Sequence, residues 1–154
     1  MMTTTSAKRD DRMEPSRARL LILEQHARLR QILGDTQVIA ERVLAGEGLV
    51  RELEQQLEIL RTAFWDHNQS EEALLEPILR LDFAWGPARI ARMMEEHGAE
   101  HAAIREALSG SALEVAARMA ELAEDVDAHM AAEERTFLSP GVLRDDVVST
   151  EDGD

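Results

Sequence analysis

Apolar residues recur along most of the chain in alternating steps of three and four positions. Four such runs are present, and they begin at Ile22, Leu53, Ile90 and Val115. Steps of this size place side chains on one face of an α-helix, whereas the strict alternation expected of a β-strand is missing. The pattern therefore predicts four helices, each with one apolar stripe.

Prolines, glycines and one capping motif mark the ends of these helices. Proline is favoured in the first turn of a helix, and glycine is favoured just after the last turn. Ser111 and Glu114 have the S-x-x-E spacing of a capping box. The predicted helices run from Pro15 to Gly46, from Gly48 towards Pro77, from Pro87 to Ser109–Gly110, and from Ser111 to a stop before Pro140.

Short connections between successive helices favour antiparallel neighbours. The sequence therefore predicts an all-α fold, an antiparallel up-down-up-down four-helix bundle that occupies residues 15–140. Phe83 and Trp85, between the second and third helices, are expected to close one end of it. Residues 1–14 lack an apolar period and are predicted to be a disordered leader, and residues 141–154 are predicted to be an acidic, flexible tail.

The composition removes several classes of function. The chain has 154 residues and no cysteine, which excludes disulfides, thiol nucleophiles and cysteine-held metal clusters. Its formal net charge of −14 repels phosphate backbones and anionic lipids, so we expect neither nucleic acid nor a membrane as a partner. No secretory signal or membrane-spanning run is visible, which predicts a cytoplasmic location. Sixteen arginines beside a single lysine are typical of a GC-rich bacterial genome.

Polar residues interrupt the apolar stripes at seven places. All five histidines of the chain lie on a stripe. Because about two helix positions in seven face the core, chance placement of all five has a probability on the order of 0.002. Two glutamates lie on the same stripes, each one helical turn after a histidine. The seven residues are His26, His67, Glu71, His97, His101, His129 and Glu133.

Seven such groups in one small core need compensation. A buried ionised carboxylate without a partner costs roughly several kcal/mol, and an unpaired buried imidazole is also unfavourable. Together they would exceed the stability of a domain of this size. Imidazole and carboxylate groups are ligands for Fe, Mn, Zn or Cu. The sequence therefore predicts a metal site in the core of the bundle.

Residue counts from the connections bring the first three helices into agreement. His26 lies 20 residues before Gly46 and His67 lies 19 residues after Gly48, so an antiparallel hairpin places both at one level. The distance in residues from His67 to Pro77 equals that from Pro87 to His97, so the second connection brings His97 to the same level.

The counts for the third and fourth helices disagree. His101 is 9 residues before Gly110, whereas His129 is 18 residues after Ser111. Either this connection is longer than predicted or the fourth helix extends beyond the third.

The chain also contains an internal repeat. The segment HARLRQIL that begins at His26 aligns with HAAIREAL, which begins at His101. The H-x-x-x-E-E motif of the second helix recurs in the fourth. The bundle is therefore predicted to consist of two related helical hairpins. The symmetry fails at Ile22, because the third helix has His97 at the corresponding position.

Four motifs surround the seven residues: LEQHARLR with His26, DHNQSEEALLEP with His67 and Glu71, EEHGAEH with His97 and His101, and AHMAAEERTFLSP with His129 and Glu133. Occurring in this order, they resemble the motifs of the hemerythrin-like, or HHE cation-binding, family. The resemblance covers about residues 15–140.

This resemblance implies a non-haem centre of two iron ions, bridged by two carboxylates and by an oxo or hydroxo group. In the implied arrangement, the first iron is held by three histidines, the second by two, and both glutamates bridge them. Carried over to this chain, these are His97, His101 and His129 for one ion, His26 and His67 for the other, and Glu71 and Glu133 as bridges.

The bridging carboxylate of the fourth helix has one alternative. In the invertebrate oxygen carriers of the family, this residue stands five positions after the histidine, where this chain has Glu134. The stripe position and the matching spacing between His67 and Glu71 favour Glu133. Glu72 and Glu134 are then surface or outer residues.

The resemblance implies a module that reversibly binds O2, or a related small ligand such as NO, for storage, delivery or sensing. Ile22, Leu29 and Phe64 are the stripe neighbours expected to form a dry, apolar pocket at the open position of the two-histidine iron. The alternatives are a di-iron oxidoreductase that decomposes peroxide and a protein for iron storage or sensing. Whether the protein is an enzyme is left open, and the sequence identifies no redox partner.

Overall fold

The computed structural model describes residues 13–81 and 86–145, and within these ranges the chain forms four helices and no strand. The helices are α1 (Pro15–Leu44), α2 (Val50–Leu81), α3 (Gly86–Leu108) and α4 (Ala112–Arg135). Helix α1 packs against α2 and α4, and α3 packs against the same two helices. The predicted all-α four-helix bundle is confirmed.

Contacts between neighbouring helices give their directions. Gln25 of α1 contacts Ser70 of α2, and Thr36, further along α1, contacts Gln56, which lies earlier in α2. Residue numbers therefore rise along one helix as they fall along the other, so α1 and α2 are antiparallel. The contacts between α2 and α3, between α3 and α4, and between α4 and α1 also pair rising with falling residue numbers, so these neighbours are antiparallel too.

Most of the helix ends lie close to where turn-forming residues predicted them. Pro15 occupies the first turn of α1, and Gly46, two residues after its end, has a φ of 76° that suits glycine. The capping box at the start of α4 is complete, since Ser111 accepts a hydrogen bond from the backbone of Glu114, and the Glu114 side chain accepts one from the backbone of Ser111.

The predicted end of the second helix at Pro77 is wrong, because α2 continues through this proline to Leu81. Proline lacks an N–H, so the carbonyl of Ala73 loses its usual helical donor. Ile78 and Leu79, just beyond the proline, are buried against other helices. Burial of these side chains outweighs the missing hydrogen bond. The predicted end-closing residues Phe83 and Trp85 lie outside the described residues.

Helix α3 is shorter than its neighbours at the end where α4 begins, which explains the disagreement in residue counts. The carbonyl of Leu108, the last residue of α3, accepts a hydrogen bond of 2.9 Å from Arg61, three turns into α2. The other three helices therefore extend beyond α3. His101 and His129 still meet, with 3.1 Å between their Nε2 atoms. Of the two alternatives, the extended fourth helix is the one observed.

The buried apolar side chains form two clusters, one on each side of a polar layer. Cluster I lies toward the α1–α2 turn and includes Leu29, Leu57, Phe64, Ile104 and Met119. Cluster II lies toward the opposite end and is formed by Ala18, Ile22, Leu75, Ile78, Leu79, Ile90, Phe137, Leu138 and Leu143. Helices α1, α2 and α3 contribute to both clusters and pass between them at the level of their stripe histidines. Helix α4 contributes to cluster I, and the segment after it contributes Phe137 and Leu138 to cluster II. The core is therefore apolar at both ends and polar in the middle.

The segment that follows α4 packs against the beginning of α1. Arg19 donates a hydrogen bond of 2.7 Å to the carbonyl of Leu138. The backbone N–H and the hydroxyl of Ser16 donate to the carboxylate of Asp145 at 2.9 and 2.8 Å. Leu143, within the predicted flexible tail, is 3% exposed. Residues 141–145 thus pack onto the bundle, and the rest of the predicted tail and residues 1–12 lie outside the described residues.

Among the described residues, no helix combines the length and the apolar character needed to cross a membrane.

Replacing Leu143 with alanine is expected to lower the free energy of unfolding by about 2 to 4 kcal/mol, because it removes a buried side chain from cluster II. Leu20→Ala is the matched control, since Leu20 is 58% exposed and its loss should change stability by less than about 0.5 kcal/mol. Urea unfolding of both variants measures the difference. Equal stabilities would contradict the packing of this segment.

Candidate metal centre

Seven polar side chains from all four helices meet between clusters I and II. Each of them is at most 9% exposed. The one-turn spacing within α2, α3 and α4 turns two side chains of each helix to the same side, and α1 contributes one. They are the seven residues predicted from the sequence: His26, His67, Glu71, His97, His101, His129 and Glu133.

The seven side chains form two groups that share one carboxylate. Within each group, the candidate ligand atoms all lie within 4.8 Å of one another. The first group consists of His97, His101, His129 and Glu133, and the second consists of His26, His67, Glu71 and Glu133. Each group has the size and donor types of a metal-binding site.

Glu71 extends across the boundary between the two groups. One of its carboxylate oxygens lies 2.7 Å from Nε2 of His67, and the other lies 2.8 Å from Nε2 of His97. These histidines belong to different groups. The two oxygens of Glu71 therefore face the two candidate positions.

Glu133 has the same arrangement on the opposite helix. Its Oε1 lies 2.5 Å from Nε2 of His129, and its Oε2 lies 3.8 Å from Nε2 of His26. These histidines again belong to different groups. The centre therefore has two carboxylates that each connect the groups, with one oxygen turned to either side.

Many of the polar atoms turned toward this centre have no hydrogen-bond partner among the described residues. The close contacts of Glu71 and Glu133 with histidine nitrogens lack hydrogen-bond geometry. Buried polar atoms are rarely left unpartnered, whereas convergent lone pairs are what a metal ion requires. The donor set thus fits a metal. The unpartnered atoms at the centre are Nε2 of His26, His67 and His97 and all four carboxylate oxygens of Glu71 and Glu133; Nδ1 of His26 and of His101 are unpartnered as well.

Burial lowers the pKa of three of the five histidines of the centre, which keeps these three neutral at physiological pH. Burial, followed by repulsion from His67, lowers the pKa of His26 to about 4. Burial and repulsion from His97 lower the pKa of His101 to about 3, and the pKa of His129 is lowered for the same reasons. Neutral imidazole rings keep a lone pair free for a metal.

The two central carboxyl groups differ in charge when no metal is present. Burial raises the pKa of Glu133 to about 12, with further contributions from its interaction with the neighbouring carboxylate of Glu71. Burial alone would also raise the pKa of Glu71, but its contacts with Glu133, His67 and His97 hold it well below the ordinary value. Without metal, Glu133 is therefore protonated and Glu71 is ionised.

Two outer residues that lie off the apolar stripes contact histidines of the centre. The amide oxygen of Gln25 lies 2.8 Å from Nδ1 of His67, and the Gln25 amide nitrogen donates to the hydroxyl of Ser70 at 2.9 Å. A carboxylate oxygen of Glu100 lies 2.6 Å from Nδ1 of His129. The internal repeat was the one signal for them, because each directly precedes one of the two aligned histidines.

Asn68 is a further buried polar residue that the apolar stripe of α2 does not include. It follows His67 on α2, it is 4% exposed, and neither atom of its amide has a hydrogen-bond partner among the described residues. It stands four residues after Phe64 and three before Glu71, at the edge of the buried face of α2, and this spacing is the signal that could have indicated its burial.

Glu134 is turned away from the centre. It accepts a hydrogen bond of 2.6 Å from Arg30, which also donates to Asp127 at 2.8 Å. One Glu134 oxygen lies 3.7 Å from Nδ1 of His26, on the side of the ring away from Glu133. Glu133 is a member of both ligand groups, and Glu134 is a member of neither.

The three residues predicted to form a ligand pocket are buried but lie on different sides of the centre. Ile22 belongs to cluster II, whereas Leu29 and Phe64 belong to cluster I. Ile22 and Leu29 stand about one turn before and after His26 on α1. The ring of Phe64 packs edge-on against the ring of His101, with 5.8 Å between their centroids.

One comparison with known proteins gives a match. A family model described as the hemerythrin HHE cation binding domain matches residues 19–139. No curated protein and no solved structure matches the chain. The matched range includes all seven residues of the centre and most of the four helices.

The metal-free protein is expected to lose stability as the pH is lowered from about 6.5 to about 5. Histidines of the unfolded chain take up protons near 6.5, whereas burial keeps His26 and His101 neutral in the folded protein. The unfolded state therefore binds more protons in this interval. Each such histidine lowers the free energy of unfolding by up to about 1.4 kcal/mol per pH unit, which urea unfolding at several pH values measures.

Glu133 acts in the opposite direction over the same interval, because its raised pKa keeps it protonated only in the folded protein. The three buried histidines outweigh this single group. In the variant His101→Asn, the free energy of unfolding should depend less steeply on pH than in the parent. A free energy that stays constant or rises on acidification of the parent would contradict the prediction.

Proposed function

Because the matched family model spans more than three quarters of the chain, the protein belongs to the hemerythrin HHE cation-binding family, and we propose that it holds two iron ions and reversibly binds O2 or a related small ligand such as NO. The family itself is one of metal-binding domains. Iron, the number of ions and the small ligand are parts of the proposal.

The observation that carries the proposal is the pair of carboxylates that connect the two groups. Glu71 and Glu133 each have one oxygen near a histidine of either group. A single ion would need only one such group, whereas two neighbouring ions need shared ligands. The absence of cysteine and the supply of imidazole and carboxylate suit iron.

The proposed ligands are unequally divided. His97, His101 and His129 hold one ion, His26 and His67 hold the other, and Glu71 and Glu133 bridge them. The second ion therefore has one protein ligand fewer than the first, which leaves a position for a small molecule. When bound in the reduced state, the two iron ions supply the electrons with which O2 is taken up.

The surrounding apolar residues keep water away from this position. Ile22 and Leu29 flank His26 on α1, and they are 0% and 2% exposed. Since Ile22 stands where the third helix has His97, it also withholds a third histidine from the second ion. Phe64 lies on the cluster I side of the centre, where its ring packs edge-on against the ring of His101. A dry pocket favours release of the bound ligand unchanged over its loss to side reactions.

The purified protein, expressed with ample iron, should contain about two iron ions per chain and should lose thermal stability on chelation, because the ions compensate the buried donors. Its visible absorption should change when O2 is admitted to the reduced protein and should return when O2 is removed. Rapid irreversible oxidation with turnover of added peroxide would favour the oxidoreductase instead. Absence of a transition metal, with unchanged melting after chelation, would contradict the proposal.

The choice of bridging carboxylate can be tested with neighbouring residues of α4. Glu133→Ala should reduce the iron content to about one ion or fewer per chain, since it removes an oxygen ligand from both positions. Glu134→Ala is the matched control and should retain about two ions, because Glu134 pairs with Arg30 outside the centre. Iron content is measured by elemental analysis, and a loss of iron in Glu134→Ala alone would show that the bridge is Glu134.

A further inference from the structure

We propose that Gln25 and Glu100 are equivalent positioning residues, one in each helical hairpin, and that their different chemistry makes the two metal positions electronically unequal. The proposal rests on the proposed function in that His67 and His129 must bind metal. It concerns the outer side of these histidine rings, opposite the nitrogen that faces the centre.

Gln25 fixes the ring of His67 through a chain of two contacts. Its amide nitrogen donates to the hydroxyl of Ser70 at 2.9 Å, which leaves its amide oxygen facing Nδ1 of His67 at 2.8 Å. An amide oxygen only accepts hydrogen bonds, so Nδ1 of His67 must carry the proton. Nε2, which lies beside Glu71, then keeps its lone pair for a metal.

Glu100 makes the corresponding contact in the second hairpin. Its carboxylate lies 2.6 Å from Nδ1 of His129. An ionised carboxylate only accepts, so this nitrogen is also the protonated one. Nε2 of His129 lies 2.5 Å from Glu133 and 3.1 Å from Nε2 of His101, inside the first ligand group. The ring is therefore oriented with its free lone pair toward the metal position.

The internal repeat relates these two contacts. Gln25 precedes His26 as Glu100 precedes His101, and the segments that follow these histidines align. In each hairpin, the residue before the histidine of the first helix reaches the histidine of the second helix. Because the contact recurs at equivalent positions, we infer that it has the same role in both hairpins, which is to orient a histidine ring.

The two positioning residues differ in charge, since Gln25 presents a neutral amide and Glu100 presents a carboxylate. A carboxylate hydrogen-bonded to the outer nitrogen of a ligand histidine makes the ring a stronger electron donor than a neutral amide does. The ion held by His97, His101 and His129 is therefore favoured in its higher charge state. Around the ion held by His26 and His67, no carboxylate is hydrogen-bonded to the outer nitrogen of a ring. The nearest one, Glu134, lies 3.7 Å from Nδ1 of His26 and is paired with Arg30, so this ion stays the more easily reduced of the two.

Zinc affinity tests the positioning role without iron or O2. With Zn²⁺ as the probe in a chelator competition assay, Glu100→Ala and Gln25→Ala should each bind about 10- to 100-fold more weakly at the affected position. Glu96→Gln is the control, because Glu96 is exposed on the same helix as Glu100 and pairs with Arg92. The metal-free variants should melt at the parent temperature.

Exchanging the two residues tests the difference in charge. In the iron-loaded protein, Glu100→Gln should raise the reduction potential of the first position. Gln25→Glu, whose carboxylate would accept a hydrogen bond from the Ser70 hydroxyl in place of donating one, should lower that of the second. A purely structural role would not give shifts of opposite sign. Shifts of the same sign, or zinc affinities within about twofold of the parent in both alanine variants, would overturn the proposal.

The outcomes also separate this proposal from the proposed function. Weakened zinc binding in a protein that takes up neither iron nor O2 would support the positioning role and contradict the function. Unchanged zinc binding by the alanine variants, in a protein that holds two iron ions and binds O2, would contradict the positioning role and support the function. A parent protein that binds no zinc would overturn the positioning role.

Discussion

The cost of burying seven polar side chains is the constraint on which the rest of this structure depends. They occupy one layer across all four helices, and apolar clusters close that layer from both sides. These nitrogens and carboxylates are shielded from solvent, and most of them face one another without hydrogen-bond partners. The protein tolerates this only because packing at both ends holds the bundle together and because the converging atoms match the needs of metal ions.

The sequence was sufficient to predict the fold and the inner residues of the centre, for one physical reason. A helix repeats every 3.6 residues, so a histidine such as His67 and a carboxylate such as Glu71 must lie on the stripe that faces the core. The period does not encode where a helix ends. Pro77 predicted an end that the burial of Ile78 and Leu79 overrides. The end of α3 was predicted, but the choice between a longer connection and an extended α4 required the contact of Leu108 with Arg61.

The outer contacts were beyond the sequence for a different reason. Gln25 and Glu100 lie off the stripe, where polar residues are ordinary and most of them simply face water. Their significance depends on the relative rotation of two helices, which brings each side chain onto a histidine of the neighbouring helix. Adjacent Glu133 and Glu134 have the same chemistry, but the stripe position favoured Glu133 from the sequence. The directions of the two side chains agree with that choice, because Glu134 pairs with Arg30.

The contact between Ser16 and Asp145 brings two distant parts of the chain to one point on the surface. The described chain enters α1 and leaves the last turn side by side, at the cluster II end of the bundle. A domain with this arrangement can be inserted into a surface loop of another protein without separating the ends of that loop. The same proximity would allow a circular permutant, with new termini at the exposed α1–α2 turn around Gly46. The bundle thus has the geometry of a domain that can be inserted into another protein.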